Sequence, residues 1–412
     1  MPVYNKLQTI FLIMFKKYSI WILPVLLFYF LSVNFSQFGD QQYSLLARSF
    51  LEGKLFFIDV LGGHIIYDSV AYGGHYYWPL GPFPSILLMI PVFLFEKINL
   101  FFYQGYLNFL LSGVIFWLVY IISKKIGFTG RARVWLGFTF IAASSVLGTS
   151  LISASWYIAH TVTLVLILLA LYEYYSTRRY YLIGIYFGLV AMTRLTAGLG
   201  IIFFILTILF LEKTNLSIKA KKLFQLSLPF IISLGLLMLY NNMRFNDLFE
   251  QGYSSQIISG ILANNRDFGL LNLIHLPGNL YYLFLSGPLP VFLNSDVKIL
   301  KFPFIAMNPW GMSILLTSPY LAYLFFHRYK DRLAILLWIT ILVIAIPLLL
   351  YYGIGYKQFG YRYALDFWPF LFLLFMLTYK QNNSELSLRI KILFLVSAFF
   401  NLYLTLIAYV QR

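Results

Sequence analysis

A chain of 412 residues that is 61% hydrophobic and only 11% charged is not a water-soluble domain, since those carry about a quarter charged residues. Its long apolar runs approach the roughly 20 residues of a spanning helix, and it lacks the short alternating segments of a transmembrane β-barrel. With no cysteine, disulfides and thiolate chemistry are excluded.

Tyr18–Phe35 is the first apolar run. It reads as a retained anchor, because Phe11–Phe15 is too short for a leader and no clear small-residue cleavage site follows. A first outer loop with juxtamembrane helices, residues 36–103, comes next. A helix is expected from Asp40 to about Gly53. On its wheel Asp40, Gln41, Ser44 and Arg48 share one face, and Tyr43, Leu46, Ala47 and Phe50 share the other. That is the pattern of a helix lying in the headgroup region, with a carboxylate and a guanidinium turned toward one space. Asp40 reads equally as the cap of this helix. Downstream stand Asp59, His64, Asp68, His75, Tyr76, Tyr77 and Trp78. Gly73-Gly74 marks a turn, so Asp68–Tyr77 reads as a small hairpin or Ω-like loop. His64 and His75, with Asp59 or Asp68, match no recognised metal-ligand spacing; no metal and no cofactor is expected. Residues 79–96 carry four prolines (Pro79, Pro82, Pro84, Pro91), poor content for a spanning helix, and are expected to lie along the outer interface.

Further spans are expected near 104–123, 134–151, 156–175, 224–241, 309–327, 332–350, 366–380 and 391–410. Residues 181–193 and 197–211 read as two short helices joined near Arg194. With the first run these make about 11 transmembrane helices in a single all-α, polytopic domain over 1–412. A second outer region spans 242–308. Within it, 271–293 is interrupted by Pro277, Gly287, Pro288 and Pro290 and is expected at the interface too. Two broken segments on one face point to an outward cavity, because irregular backbone at membrane depth survives only packed in protein or lining a cavity.

Charge sets the orientation. In this arrangement nineteen of the thirty basic residues fall in connections on one side, with four acids. The other side is nearly neutral. Cytoplasmic connections carry such an excess of Lys and Arg, which puts the N-terminus in the cytoplasm. The excess accounts for almost all of the formal charge of +16, so no nucleic-acid partner is required.

The polar residues gather on the outer side. Arg194 stands at the apex of the short hairpin. Arg244 lies in Tyr240–Tyr253, and Lys357 and Arg362 lie in Tyr356–Asp366, among tyrosines that include Tyr361 and Tyr363. Arginines near membrane depth are costly and generally pair or serve a site, and the guanidinium fork suits phosphate. The structural alternative is that they snorkel or pair with Asp247, Asp366 or Asp40. His160, in the outer end of a span, is more often a packed hydrogen bonder than a catalyst, and is a secondary candidate. His75, Tyr76, Tyr77, Tyr361 and Tyr363 are candidates for a pocket that holds sugar rings or isoprenoid chains.

Asp40–Gly53 (Asp-Gln-Gln-Tyr-Ser-Leu-Leu-Ala-Arg-Ser-Phe-Leu-Glu-Gly) resembles the first outer loop of bacterial membrane proteins of the GT-C glycosyltransferase superfamily. These include the dolichyl-phosphate-mannose–protein mannosyltransferase-like and aminoarabinose transferase-like groups. Trp78-Pro-Leu-Gly-Pro-Phe-Pro looks like the proline-rich element that opens their outer juxtamembrane helix. Thr193-Arg194-Leu-Thr, Tyr240–Tyr253 and Phe359-Gly-Tyr-Arg-Tyr363 resemble further segments. The likeness runs from about residue 18 to 380. It implies a GT-C-like fold in a bacterial inner or plasma membrane. It also implies transfer of a sugar from a polyprenyl-phosphate carrier on the non-cytoplasmic face, to an acceptor that is a lipid, a glycan or a protein, with Asp40 at the position of the catalytic acid. Two departures stand out. Gln41 and Gln42 follow Asp40 where many members have a second acid, and His75–Trp78 replace the lysine that some place before the proline element.

The expected chemistry is inverting transfer. Asp40 acts as general base, and Arg48, Arg194, Arg244, Arg362 or Lys357 holds the phosphate. The rivals are a transporter or flippase of lipid-linked sugars, a polymerase that joins two lipid-linked glycans, and an inactive scaffold.

Overall fold

The computed structural model describes residues 40–58, 68–294 and 296–410. The run Tyr18–Phe35, Asp59 and His64 lie outside the described residues. Helix α1 (Gln42–Leu51) is followed by a hairpin of β1 (Val70–Tyr72) and β2 (His75–Tyr77), paired antiparallel with Tyr72 opposite His75. Its two-residue turn, Gly73-Gly74, takes positive φ at both positions, the geometry that suits the twist of a tight hairpin. Helix α2 (Phe83–Glu96) has 14 residues, about 21 Å at 1.5 Å per residue, too short to cross the roughly 30 Å hydrocarbon core.

Next come α3 (Gly105–Ile126), α4 (Gly130–Ala142), α5 (Val146–Leu151) and α6 (Ser155–Tyr174). They are followed by α7 (Tyr180–Ala191), α8 (Leu195–Phe210, with a 3-10 turn inside it) and α9 (Leu216–Phe245). The next segment holds α10 (Ile261–Arg266), α11 (Leu276–Phe284) and the antiparallel pair β3 (Leu289–Phe292) and β4 (Leu300–Ala306). The chain closes with α12 (Ile314–Thr317), a 3-10 stretch Pro319–Phe326, α13 (Arg332–Leu350), a 3-10 turn Arg362–Asp366, α14 (Trp368–Asn382) and α15 (Leu388–Val410).

The protein is therefore mainly helical and membrane-type: among the described residues five helices (α3, α6, α9, α13 and α15) are long and apolar enough to cross a membrane. Helix α6 is nearly enclosed by its neighbours, whereas α9 turns most of its surface outward. The core between them is aromatic, with Phe187, Phe203, Phe204, Phe370 and Trp368 all fully buried. Helix α7 meets α9 through Gly184 and Gly188, where an added Cβ would stand 2.2 Å from the Leu226 carbonyl oxygen and 2.1 Å from Ser233 Oγ. Small residues four apart allow such close approach between membrane helices.

Two expected spans are interrupted. The 134–151 segment breaks at 143–145, and the 309–327 segment is four residues of α-helix followed by a 3-10 run that Pro319 opens. The two breaks meet. Ser318 Oγ donates to the Ala143 carbonyl (2.9 Å), and Asn401 Nδ2 on α15 donates to those of Thr317 (2.9 Å) and Ala142 (3.2 Å). Broken helices persist at depth because neighbouring side chains satisfy the freed carbonyls in this way.

The basic connections cluster at one end: Lys380 lies over the Phe128 ring, Gln381 bonds Asp331, and Tyr180 bonds Glu212. The opposite ends of the helices carry the cavity.

Candidate active site

Asp40 is held by its backbone. Its carbonyl accepts from Gln104 Nε2 (2.8 Å) and from Ser155 Oγ (3.1 Å). Gln41, fully buried, accepts from the Gln104 N–H (2.9 Å), and Tyr43 N–H donates to Ser155 Oγ (3.2 Å). A buried polar network thus fastens the segment that leads into α1 to the starts of α3 and α6. Such networks specify geometry when their members are satisfied. Gln41 is an anchor of this network and not a second acid turned to the site.

Helix α1 departs from the expected pose. Gln42, Tyr43, Ser44, Leu45, Leu46, Ala47 and Ser49 are all buried, so the helix is packed inside protein against α2 and does not lie flat among headgroups. Arg48 is its exposed exception and pairs with Glu96 on α2 (3.0 Å). It does not line the cavity that Asp40 lines: about two turns separate positions that a wheel projects onto one stripe.

A cavity of about 1850 Å³ opens beside Asp40. Among the groups lining it are Asp68, Arg194, Lys357, Arg362 and Tyr363. Arg362 stands out electrostatically. Its guanidinium lies 5.3–5.9 Å from the ring centres of Tyr363, Tyr157 and Trp156. Its Nε and Nη1 are buried with no hydrogen-bond partner among the described residues. Aromatic faces attract the cation but satisfy none of its N–H groups, so the fork is left for an anion.

The wall carrying Arg362 is built around Gln358. The Gln358 side chain donates to the carbonyls of Trp310 (2.7 Å) and Ile354 (2.9 Å) and accepts from the Arg362 N–H (3.1 Å). Gly311 (φ 111°) and Gly355 (φ 97°) press against it; a Cβ at either would stand 2.7 Å from its Nε2. Lys357, exposed at the rim, is one of the few non-glycine residues in the left-handed region (φ 51°), and Tyr157 Oη donates to its carbonyl (2.5 Å).

Arg194 sits where α7 breaks into α8, and its charge is already matched. Its fork meets Asp366 through Nε–Oδ1 (2.5 Å) and Nη2–Oδ2 (3.0 Å), and Thr196 Oγ1 adds a third bond to that carboxylate (2.6 Å). His160 is fully buried behind it, with Nδ1 3.3 Å from Asp366 Oδ1. His160 does not line the cavity; it backs the buried carboxylate that pairs with Arg194, which does.

The remaining candidates fall outside. Arg244 is buried, donates to the Trp78 carbonyl and Asn241 Oδ1 (2.7 Å each), and lies over Tyr240 and Phe245. It clamps the start of the proline element. That element in turn presses on the α7–α8 break, since a Cβ on Gly81 would stand 2.0 Å from the Met192 carbonyl oxygen. His75 stacks on Phe56 (3.8 Å between centres), and Tyr77 is buried against Phe245. The Tyr76 carbonyl receives the Phe57 N–H (2.9 Å). Tyr361 is buried with its hydroxyl on Asn279 (3.1 Å). These aromatics pack the frame; Tyr363 alone of the tyrosines proposed for the pocket lines the cavity.

Asp68 lines the same cavity, although its sequence context marked it only as a metal-ligand option. It adopts φ 61°. Gln256 Nε2 donates to its carbonyl (3.1 Å), and Ile257 N–H donates to that of Ser69 (2.8 Å). Burial pushes its carboxyl above the usual range, Arg362 draws it back, and the charge of Asp40 pushes the same way as burial. Among the described residues no three His, Cys, Asp or Glu side chains gather as a metal set. No protein-family model, curated protein or solved structure matches the chain.

Proposed function

We propose that the protein is an inverting glycosyltransferase of GT-C-like architecture. In this reading it has about 11 spans in a bacterial inner or plasma membrane and a cytoplasmic N-terminus, and it uses a polyprenyl-phosphate sugar on the outer face. The observation that carries this reading is one cavity lined by both Asp40 and Arg362, whose Nε and Nη1 have no hydrogen-bond partner among the described residues. The reaction is a single displacement. An acceptor hydroxyl gives its proton to Asp40 as its oxygen bonds to the anomeric carbon. The bond from that carbon to the phosphate oxygen breaks, and the phosphate leaves with the electron pair. Arg362 and Lys357 hold its charge. Arg194, neutralised by Asp366, shapes the wall and contributes less.

Size and lining support the same assignment. Small-ligand pockets run about 300–1,000 Å³, so about 1850 Å³ has room for donor and acceptor head groups together. Leu195 and Leu199 on α8, Phe230 and Leu234 on α9 and Leu348 on α13 form an apolar flank on helices that face lipid, suited to an isoprenoid tail.

The test is transfer from a radiolabelled polyprenyl-phosphate sugar by membranes holding the protein. Asp40→Asn is expected to lower turnover by about 10²–10⁴ while leaving donor capture intact. Undiminished turnover removes Asp40 as base. Movement of the carrier across the bilayer without transfer favours a flippase instead, and joining of two lipid-linked glycans favours a polymerase.

A further inference from the structure

We propose that Asp68 is a second functional carboxyl of this cavity, acting in its neutral form as a hydrogen-bond donor to the phosphate that Arg362 holds. The proposal rests on the donor-phosphate reading above and adds a group that the displacement does not itself require.

Asp68 lines the cavity with Asp40 and Arg362. Its backbone is locked from outside. It sits in the left-handed region (φ 61°), uncommon for a residue with a Cβ. It is held there by Gln256 Nε2 on its carbonyl and by the bridge between Val70 and Gln256. The carboxyl is thereby positioned by contacts between two outer regions 188 residues apart in the chain. No ion pair or hydrogen bond of its side chain occurs among the described residues. The charged and titratable groups facing it there are Arg362, Asp40 and Tyr352.

A half-buried carboxylate without a partner loses part of its hydration, which shifts it toward the neutral form. Burial is the largest influence on Asp68 and raises its pKa, Asp40 adds to that, and Arg362 opposes it. An anion docking on Arg362 adds negative charge beside Asp68, which favours the neutral acid further. An ionised Asp68 would repel that phosphate, whereas the neutral acid gives it an O–H donor.

The probe is a short-chain isoprenyl methyl phosphodiester, which lacks the phosphomonoester ionisation near about pH 6. Its binding to the full-length protein in detergent is measured by calorimetry between about pH 5 and pH 9. Because the neutral acid binds the anion, wild-type affinity is expected to fall as pH rises through the Asp68 pKa, by up to about tenfold per pH unit. Asp68→Asn keeps a neutral donor and is expected to bind with no such fall; Asp68→Ala is expected to be about tenfold or more weaker at low pH. Asp40→Asn is expected to retain the fall. A fall that persists in Asp68→Asn, or that vanishes only in Asp40→Asn, overturns the role of Asp68. Arg362→Ala separates the two readings. Loss of binding at all pH values upholds the donor-phosphate site, whereas unchanged binding refutes it and this proposal with it.

Discussion

The buried pair Arg194–Asp366 allows a quantitative test of how the site is held. The carboxylate is fully buried, takes both prongs of the guanidinium and a third bond from Thr196, and has His160 at its back. Asp366→Ala removes every acceptor at once and leaves the Arg194 charge enclosed and unmatched. Breaking a buried pair by removing one member costs about 3–5 kcal/mol, and the orphaned Thr196 hydroxyl adds to it. By contrast, Arg194→Met with Asp366→Leu removes both charges and both desolvation costs, and is expected to fall within about 1 kcal/mol of wild type. The assay is denaturant unfolding in mild detergent followed by tryptophan fluorescence, because Trp368, two residues after Asp366, is buried in the core. A cost below about 1 kcal/mol for Asp366→Ala refutes the reasoning. So does a double variant as unstable as the two single variants added together.

Three further outcomes are expected. Arg244→Met should cost about 2–4 kcal/mol in the same assay, because the Trp78 carbonyl and Asn241 lose a charged donor; donor affinity measured on the folded fraction should stay unchanged. Gly184→Ile should destabilise by about 1–3 kcal/mol or more through overpacking against the Leu226 backbone, read as a lowered unfolding midpoint. Arg48→Ala should change stability by no more than about 1 kcal/mol, as for an exposed pair, and leave transfer unaltered, because its partner is Glu96 at the surface; a large loss of transfer would falsify its exclusion from the site.

Much of the scaffold was legible because spanning length and apolarity are local properties. The helices at 105–126, 155–174, 332–350 and 388–410 stand close to the apolar runs that anticipate them. The break at Arg194 was legible from the basic residues at both ends of the 181–211 pair, and the Gly73-Gly74 turn from its glycines. The interruption at 143–145 carries no local breaker, and the one at 318 is marked only by Pro319. Their freed carbonyls are met by Ser318 and Asn401, far away in the chain. The hairpin β3–β4 was missed because its strands carry no clean alternation and include Pro290 and Pro303.

Composition and periodicity settled what environment this chain is built for, and which end of its helices gathers the basic residues, because both follow from the residue types themselves. They could nominate arginines but not rank them. Arg48, Arg194, Arg244 and Arg362 look alike as residues near outer helix ends. Among the described residues, folding gives them a surface glutamate, a buried aspartate 172 residues away, a backbone carbonyl, and three aromatic rings with no acceptor on Nε or Nη1, respectively. Whether a guanidinium is spent on structure or left for a ligand depends on which acceptors reach it in space. Only the packing of distant segments decides that.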